Sequence, residues 1–96
     1  MEVIMEYVYP AIFHACGEGG YSIRFPDLPG CYSQGESLTE AMKLSQLALS
    51  EWLEYLTDKN ESIPGASVIK EIKTETDNEF VTLIYSGRLM HRQNAV

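Results

Sequence analysis

The segment "FPDLPGCYSQGESLTEA", residues 25–41, constrains the fold of this chain more than any other stretch. It combines two prolines, two glycines and a helix-start signal, which leave the backbone few conformations. Pro26 restricts Phe25 to extended geometry, and Pro29-Gly30 is typical of a type II turn. The segment is therefore a catalytic loop, a ligand-binding turn or a rigid corner between a sheet and a helix.

A long helix is predicted to begin near the end of this segment. Ser37-Leu38-Thr39-Glu40 has the S-x-x-E pattern of a capping box. In such a box Ser37 accepts a hydrogen bond from the N–H of Glu40, and Glu40 is expected to reach back to the N–H of Ser37. The apolar spacing that follows predicts a helix from Leu38 to about Asp58.

The two faces of this helix are predicted from its periodicity. The inner face should contain Leu38, Met42, Leu49, Trp52 and Leu56 with the small residues Ala41, Ser45 and Ala48, and the solvent face Glu40, Lys43, Glu51, Glu54 and Asp58. Leu44, Leu47 and Leu53 widen the apolar arc beyond what one sheet face needs. This excess indicates a second contact, such as a copy of the same chain.

Three strands are predicted before the helix and one after it. Residues 3–13 are rich in β-branched and aromatic side chains, and Pro10 among them should lie at a bulge or turn its nitrogen away from a partner strand. Residues 21–25 alternate apolar and polar, and residues 31–34 form a short third strand. Residues 79–86 are apolar on both faces, which predicts a position inside the sheet or at an interface.

The 96 residues fit one small α+β domain of two layers with the element order β-β-β-α-β. The first three strands should form an antiparallel meander. Residues 68–73 are compatible with either a helical turn or a strand. We place the domain at residues 1–86 and treat residues 87–96 as a C-terminal tail, too short for a complete DNA-binding module.

The composition excludes some classes of function. A formal net charge of −7 argues against binding nucleic acid through its phosphates, which needs clustered Lys and Arg. It suits either a well-solvated acidic surface or a basic partner. The N-terminal stretch has no signal-peptide pattern, and no apolar run is long enough to span a bilayer. We therefore expect a cytoplasmic protein that has no membrane partner.

The two cysteines, Cys16 and Cys31, have neither CxxC nor zinc-site spacing. They could touch across a hairpin, but buried free thiols are the favoured interpretation. The pair His14 and Cys16 does not by itself meet the geometric requirement for a nucleophile and its base, and His91 has no predictable partner. Asp27 is expected to bind backbone N–H groups of its own turn. We predict no catalytic residue, cofactor or metal site.

Several stretches resemble the HicB-like antitoxin family. They are "YPAIF", the Gly-Gly-Tyr start of the second strand, "FPDLPGCYSQGESLTEA" and the apolar helix after it, and they span about Tyr9 to Tyr85. The resemblance implies a partial RNase H-like fold without RNase H catalysis. It places the family signature on Phe25, Pro26, Asp27, Leu28, Pro29, Gly30 and Gly35. These residues are expected to be structural, with Asp27 the first candidate to touch a partner as well.

The resemblance also implies a function. Members of the family bind a small basic HicA toxin, an mRNA-degrading ribonuclease, and many carry a C-terminal DNA-binding module for which the ten residues after Ser86 are too few. The leading hypothesis is an antitoxin that neutralises a HicA-like ribonuclease, forms a homodimer or higher homo-oligomer, and does not bind DNA specifically by itself. The alternatives are a stand-alone HicB-like regulatory or binding module with another protein partner, and an enzyme with an RNase H-like remnant.

Overall fold

The computed structural model describes the backbone of residues 2–91 and the side chains of residues 6–87. The elements are β1 (Glu2–Ala15), β2 (Tyr21–Arg24), β3 (Tyr32–Gly35), α1 (Leu38–Asp58), a single 3₁₀ turn (Ile69–Glu71) and β4 (Glu79–His91). The strands form one antiparallel sheet in the order β3-β2-β1-β4, and α1 packs on one face of it. The predicted element order and three-stranded meander are confirmed.

Strand β4 lies at an edge of the sheet, so the predicted interior position is wrong. It pairs with β1 alone, without interruption from Glu2↔His91 to His14↔Glu79, and it continues beyond its predicted end at Ser86. Its two apolar faces have different surroundings. The Ile84 face is buried under α1, whereas Leu83 on the opposite face is 49% exposed. The alternative, that this strand lies at an interface, stays a prediction.

Pro10 is accommodated without a bulge, since the β1–β4 register passes through it unbroken and sets it opposite Leu83. The carbonyl of Tyr85 accepts a hydrogen bond from Gln46 of α1 (3.1 Å), so this backbone group points away from β1. In an antiparallel strand the N–H and C=O groups of successive residues point alternately to opposite sides of the strand. Those of Leu83, two residues before Tyr85, therefore also point away from β1. The nitrogen of Pro10 therefore faces away from β4, which was one of the two predicted solutions.

The core lies between α1 and the sheet. Its buried residues are Tyr9, Ala11, Phe13, Ile23, Phe25, Leu28, Cys31, Ala41, Leu49, Leu53 and Ile84. Two helix assignments from the sequence were wrong, because Leu53 belongs to this core and Leu38 is 46% exposed. The chain at Gly35 approaches the backbone of Ala41 closely, so Ala41 rather than Leu38 is the first helical residue to face the sheet.

The end of α1 and the connection to β4 are also defined by hydrogen bonds. Asn60 adopts a left-handed conformation (φ 60°), and the N–H of Glu61 donates to the carbonyl of Leu56 (2.9 Å), as in a Schellman C-cap.

In the connection between α1 and β4, the carbonyl of Pro64 accepts a hydrogen bond from the hydroxyl of Tyr9. The ambiguous stretch 68–73 contains the 3₁₀ turn. Within the described part of the chain, no helix has the length and apolar character needed to cross a membrane.

Candidate partner-binding site

The signature corner, residues 25–31, consists of two consecutive turns. The N–H of Leu28 donates to the carbonyl of Phe25 (3.0 Å), and the N–H of Cys31 donates to the carbonyl of Leu28 (2.9 Å). Gly30 has a φ of 100°, which fits the third position of the predicted type II turn. The N–H of Phe25 also donates to the carbonyl of Cys31 (3.3 Å) and closes the corner at its base.

The corner packs directly on α1. Leu28 and Cys31 are buried, and a Cβ atom at Gly30 would lie 2.9 Å from the ring of Trp52. The thiol of Cys31 lies 3.7 Å from the carbonyl oxygen of Ala48, and burial raises the pKa of this thiol to about 11. Cys31 is therefore the buried, neutral free thiol that was predicted.

Cys16 differs from that prediction, because it is a free but exposed cysteine. It lies just after the end of β1, in the hairpin loop, where its N–H donates to the carbonyl of Gly20 (2.8 Å). Its sulfur is 3.9 Å from the backbone oxygen of His14, while the His14 ring contacts Glu79 instead. The hairpin thus leaves the thiol outside the core.

Asp27 ties the corner to a distant part of the chain. One carboxylate oxygen accepts from the N–H of Ser67 (2.8 Å) and the other from the Ser67 hydroxyl (2.6 Å). The sequence predicted a bond within the turn itself, and this was wrong because the partner lies in the connection between α1 and β4. The Asp27 side chain is half-buried, so the corner and that connection are fastened together at the surface.

The helix entrance follows the predicted capping box with one difference. The N–H of Glu40 donates to the Ser37 hydroxyl (3.1 Å), but the Glu40 carboxylate accepts from the N–H of Glu36 (2.6 Å) rather than that of Ser37. Gly35 precedes this cap, and a Cβ atom there would lie 2.5 Å from the nitrogen of Ala41. Only a residue without a side chain fits between β3 and the helix start.

A polar cluster on the sheet face opposite α1 was not found by sequence reasoning. We define it as His14, Arg24, Glu75 and Glu79. The Arg24 guanidinium donates to both oxygens of Glu79 (3.0 and 3.3 Å), and the N–H of Glu75 and the ring of His14 contact the same carboxylate at 2.8 and 3.1 Å. The bonds from Arg24 above all, with that from the Glu75 N–H, lower the pKa of Glu79 to about 2.

Only part of the corner is exposed. Pro26, Pro29 and Gly30 are exposed, whereas Phe25 and Leu28 are buried. The structure thus brings the predicted signature residues together in one corner, with Gly35 at the helix entrance beside it. Their contact with a partner stays a prediction.

The described residues include no group of three or more His, Cys, Asp or Glu side chains that could hold a metal ion. The His91 side chain and residues 92–96 lie outside the described part of the chain. What the corner can do is hold a fixed shape against α1, which is a property of a binding surface.

Comparisons of the sequence with a family model and with known proteins indicate the same family. The sequence model of the family described as HicB_like antitoxin of bacterial toxin-antitoxin system matches residues 9–86. The antitoxin HicB of Escherichia coli K12 is 38% identical over 56 residues, which cover 58% of this chain and 41% of that protein. The chain therefore spans about two fifths of the length of this relative.

Two solved structures show the same fold. The N-terminal domain of the Burkholderia pseudomallei antitoxin HicB has a TM-score of 0.70 and 26% identity, and the match covers 81% of this chain and 95% of that one. A chain of a toxin–antitoxin complex from Streptococcus pneumoniae has a TM-score of 0.77 at 22% identity and covers 85% of this chain and 69% of that one. With its family match over most of its length, this chain belongs to the HicB-like antitoxins of bacterial toxin–antitoxin systems.

Proposed function

We propose that this chain binds and neutralises a small basic ribonuclease of the HicA type. The observation that carries the proposal is the family match over residues 9–86, which includes the whole corner and helix α1. One similar structure is that of a HicA3 and HicB3 toxin–antitoxin complex. We carry that kind of partner over to this chain.

The charge of the chain supports a basic partner. The formal net charge is −7, and exposed carboxylates occur on α1, in the hairpin loop and in the connection before β4. Opposite potentials on two proteins accelerate their encounter and disfavour wrong partners. An acidic inhibitor is therefore well suited to a toxin whose own surface must be basic to hold RNA.

The rigid corner supports the same proposal. Its two turns, the packing of Gly30 on Trp52 and the bonds from Asp27 to Ser67 fix the surface before any partner arrives. A surface that is already ordered loses less conformational entropy on binding. Of the signature residues, Asp27 is the one that we expect to contact the partner as well, since it is the only one with a charged side chain.

The proposal has three further parts that concern assembly, DNA and location. We expect a homodimer or higher homo-oligomer, for which sedimentation of the pure chain is the test. We expect no specific operator binding by this chain alone, because its strands and helix belong to one core and its net charge repels DNA. A neutraliser of an mRNA-degrading enzyme must act where mRNA is, so we place the chain in the cytoplasm, with a regulatory rather than an enzymatic role.

The test is co-expression of this chain with the product of any neighbouring gene that encodes a short basic protein, followed by purification through a tag on the chain. We expect a stable complex that withstands a wash at moderate salt. A chain purified in folded form without that protein would contradict the proposal. Such a result would favour the alternative, a HicB-like regulatory module with another protein partner.

A further inference from the structure

The outward surface of α1 carries a row of residues that the core does not use. We name it the outer stripe, and it consists of Glu40, Leu44, Leu47, Glu51, Tyr55 and Asp58. These residues follow one another at spacings of four or three, so they share one side of the helix. The fully buried Leu49 marks the opposite side. The stripe is about 27 Å long at 1.5 Å per residue.

The stripe combines apolar and acidic side chains. Leu44 is 38% exposed, Leu47 is 51% exposed and Tyr55 is 47% exposed, although the core beneath them is already closed. The three acidic residues of the stripe, Glu40, Glu51 and Asp58, are exposed as well. Apolar side chains bordered by charged ones are typical of a protein–protein interface, and the three carboxylates of the stripe outnumber Lys43 and Lys59, the cations beside it.

The stripe is also connected to the signature corner. The ring of Trp52 packs against Gly30 and lies 5.5 Å from the ring of Tyr55, measured between centroids. Tyr55 in turn has the Nζ atom of Lys59 at 5.8 Å from its ring centroid. The corner, Trp52 and the stripe therefore form one continuous contact surface whose shape is set by packing.

We propose that the outer stripe is the surface with which this chain docks its basic partner, and that Leu44 and Leu47 enter an apolar groove bordered by Lys or Arg side chains. The inference rests on the proposed function and assigns it a place on the molecule. Charge decides between occupants. A second copy of this chain would set the same carboxylates against one another, which is unfavourable, whereas a basic protein would pair with them.

The test measures the affinity and association rate of variants for the toxin captured in that co-expression. The first variant is Leu47→Gln, because Gln has a helix propensity close to that of Leu. Its control is Leu38→Gln, which changes a leucine of similar exposure on the same helix but outside the stripe. We expect Leu47→Gln to raise Kd about tenfold, as loss of a central apolar contact does, and the control to leave Kd unchanged.

The second pair of variants tests the charges. Glu51→Lys with Asp58→Lys should slow association at low salt by about tenfold. The control, Glu18→Lys with Asp77→Lys, changes the net charge equally at exposed positions outside α1. If both pairs slow association equally, net charge alone steers the partner and the stripe has no special role.

Each outcome separates the two proposals. If the unaltered chain does not bind the toxin, the proposed function is wrong, and the proposal for the stripe is wrong with it. If the unaltered chain binds but Leu47→Gln binds equally well, the stripe proposal alone is wrong. A change in oligomeric state on Leu47→Gln with unchanged toxin binding would overturn it in favour of self-association. Circular dichroism of each variant checks that α1 is intact.

Discussion

The corner and the polar cluster both attach distant segments to the sheet, but different interactions stabilise them. The corner is held mainly by shape, through backbone turns and the close approach of Gly30 to Trp52 and of Gly35 to Ala41. The polar cluster is held by charge, through the bonds of Arg24 to Glu79. Packing therefore sets the shape of the corner, whereas the start of β4 is secured by a contact that depends on pH.

The largest effect is expected from Gly35→Ala. The new Cβ atom would lie 2.5 Å from the nitrogen and 2.6 Å from the Cα of Ala41, and backbone atoms cannot move aside without shifting the helix. We expect a loss of about 3 kcal/mol in the free energy of unfolding, at the upper end for overpacking. Denaturant unfolding measures it. Gly65→Ala is the control, since nothing lies within 4 Å there, and equal losses in both variants would contradict the packing argument.

Gly30→Val should have the next largest effect. The residue has a φ of 100°, a conformation that side chains disfavour, and its Cβ position lies 2.9 Å from the Trp52 ring. We expect a loss of about 2 kcal/mol from backbone strain and displacement of the ring. The thermal midpoint measures the total loss of stability, and the tryptophan fluorescence shows whether the Trp52 ring is displaced. An unchanged midpoint would show that the corner does not need a type II turn.

The bonds between Asp27 and Ser67 should contribute less, because they lie at the surface. We expect Asp27→Ala to cost about 1.5 kcal/mol, as loss of hydrogen bonds to a charged group does. Ser67→Ala should cost less, since the backbone N–H of residue 67 still donates to Asp27. A double-mutant cycle measures their coupling. Strict additivity of the two changes would mean that the bond from the Ser67 hydroxyl to Asp27 is absent in solution.

The smallest effect is expected from the polar cluster, because Arg24 is partly exposed and water weakens such pairs. The pKa of Glu79 lies near 2, below its ordinary value of 4.5. The folded state therefore gains stability from ionised Glu79 above about pH 4.5, and the gain is lost as the pH falls towards 2. Glu79→Gln should remove this acid dependence.

The measurement for the cluster is the thermal midpoint of the unaltered chain and of Glu79→Gln between pH 7 and pH 2. The two midpoints should converge as the pH falls. Glu18→Gln, at an exposed position in the hairpin loop, is the control and should parallel the unaltered chain. A constant difference between the unaltered chain and Glu79→Gln at every pH would contradict the role of the charge.

The same comparison explains what could be predicted from the sequence. The type II turn, the Ser37 cap and the bounds of α1 depend on residues close together in the chain, and local conformational rules were enough for them. The bond from Arg24 to Glu79 joins residues 55 apart, and it exists only because β1 pairs with β2 and β4 in one particular register. No local pattern in the sequence specifies that register.

The errors on α1 and β4 have a similar origin. Periodicity indicates which residues share a side of a helix, but it does not specify how the helix is rotated about its axis on the sheet. That rotation follows from the contact between Gly35 and Ala41. As a result Leu53 lies in the core, where Leu38 was expected. Likewise, apolar residues on both faces of β4 predicted a position inside the sheet or at an interface. The structure places β4 at the edge and leaves Leu83 exposed.

A titration of RNA cleavage tests whether this chain neutralises a basic ribonuclease. A fixed amount of the toxin captured by co-expression is mixed with a labelled RNA and increasing amounts of the folded chain. We predict that cleavage falls in proportion to the chain added and ceases near equimolar amounts, with Leu47→Gln requiring more. Undiminished cleavage in the presence of a large excess of folded chain would contradict the claim.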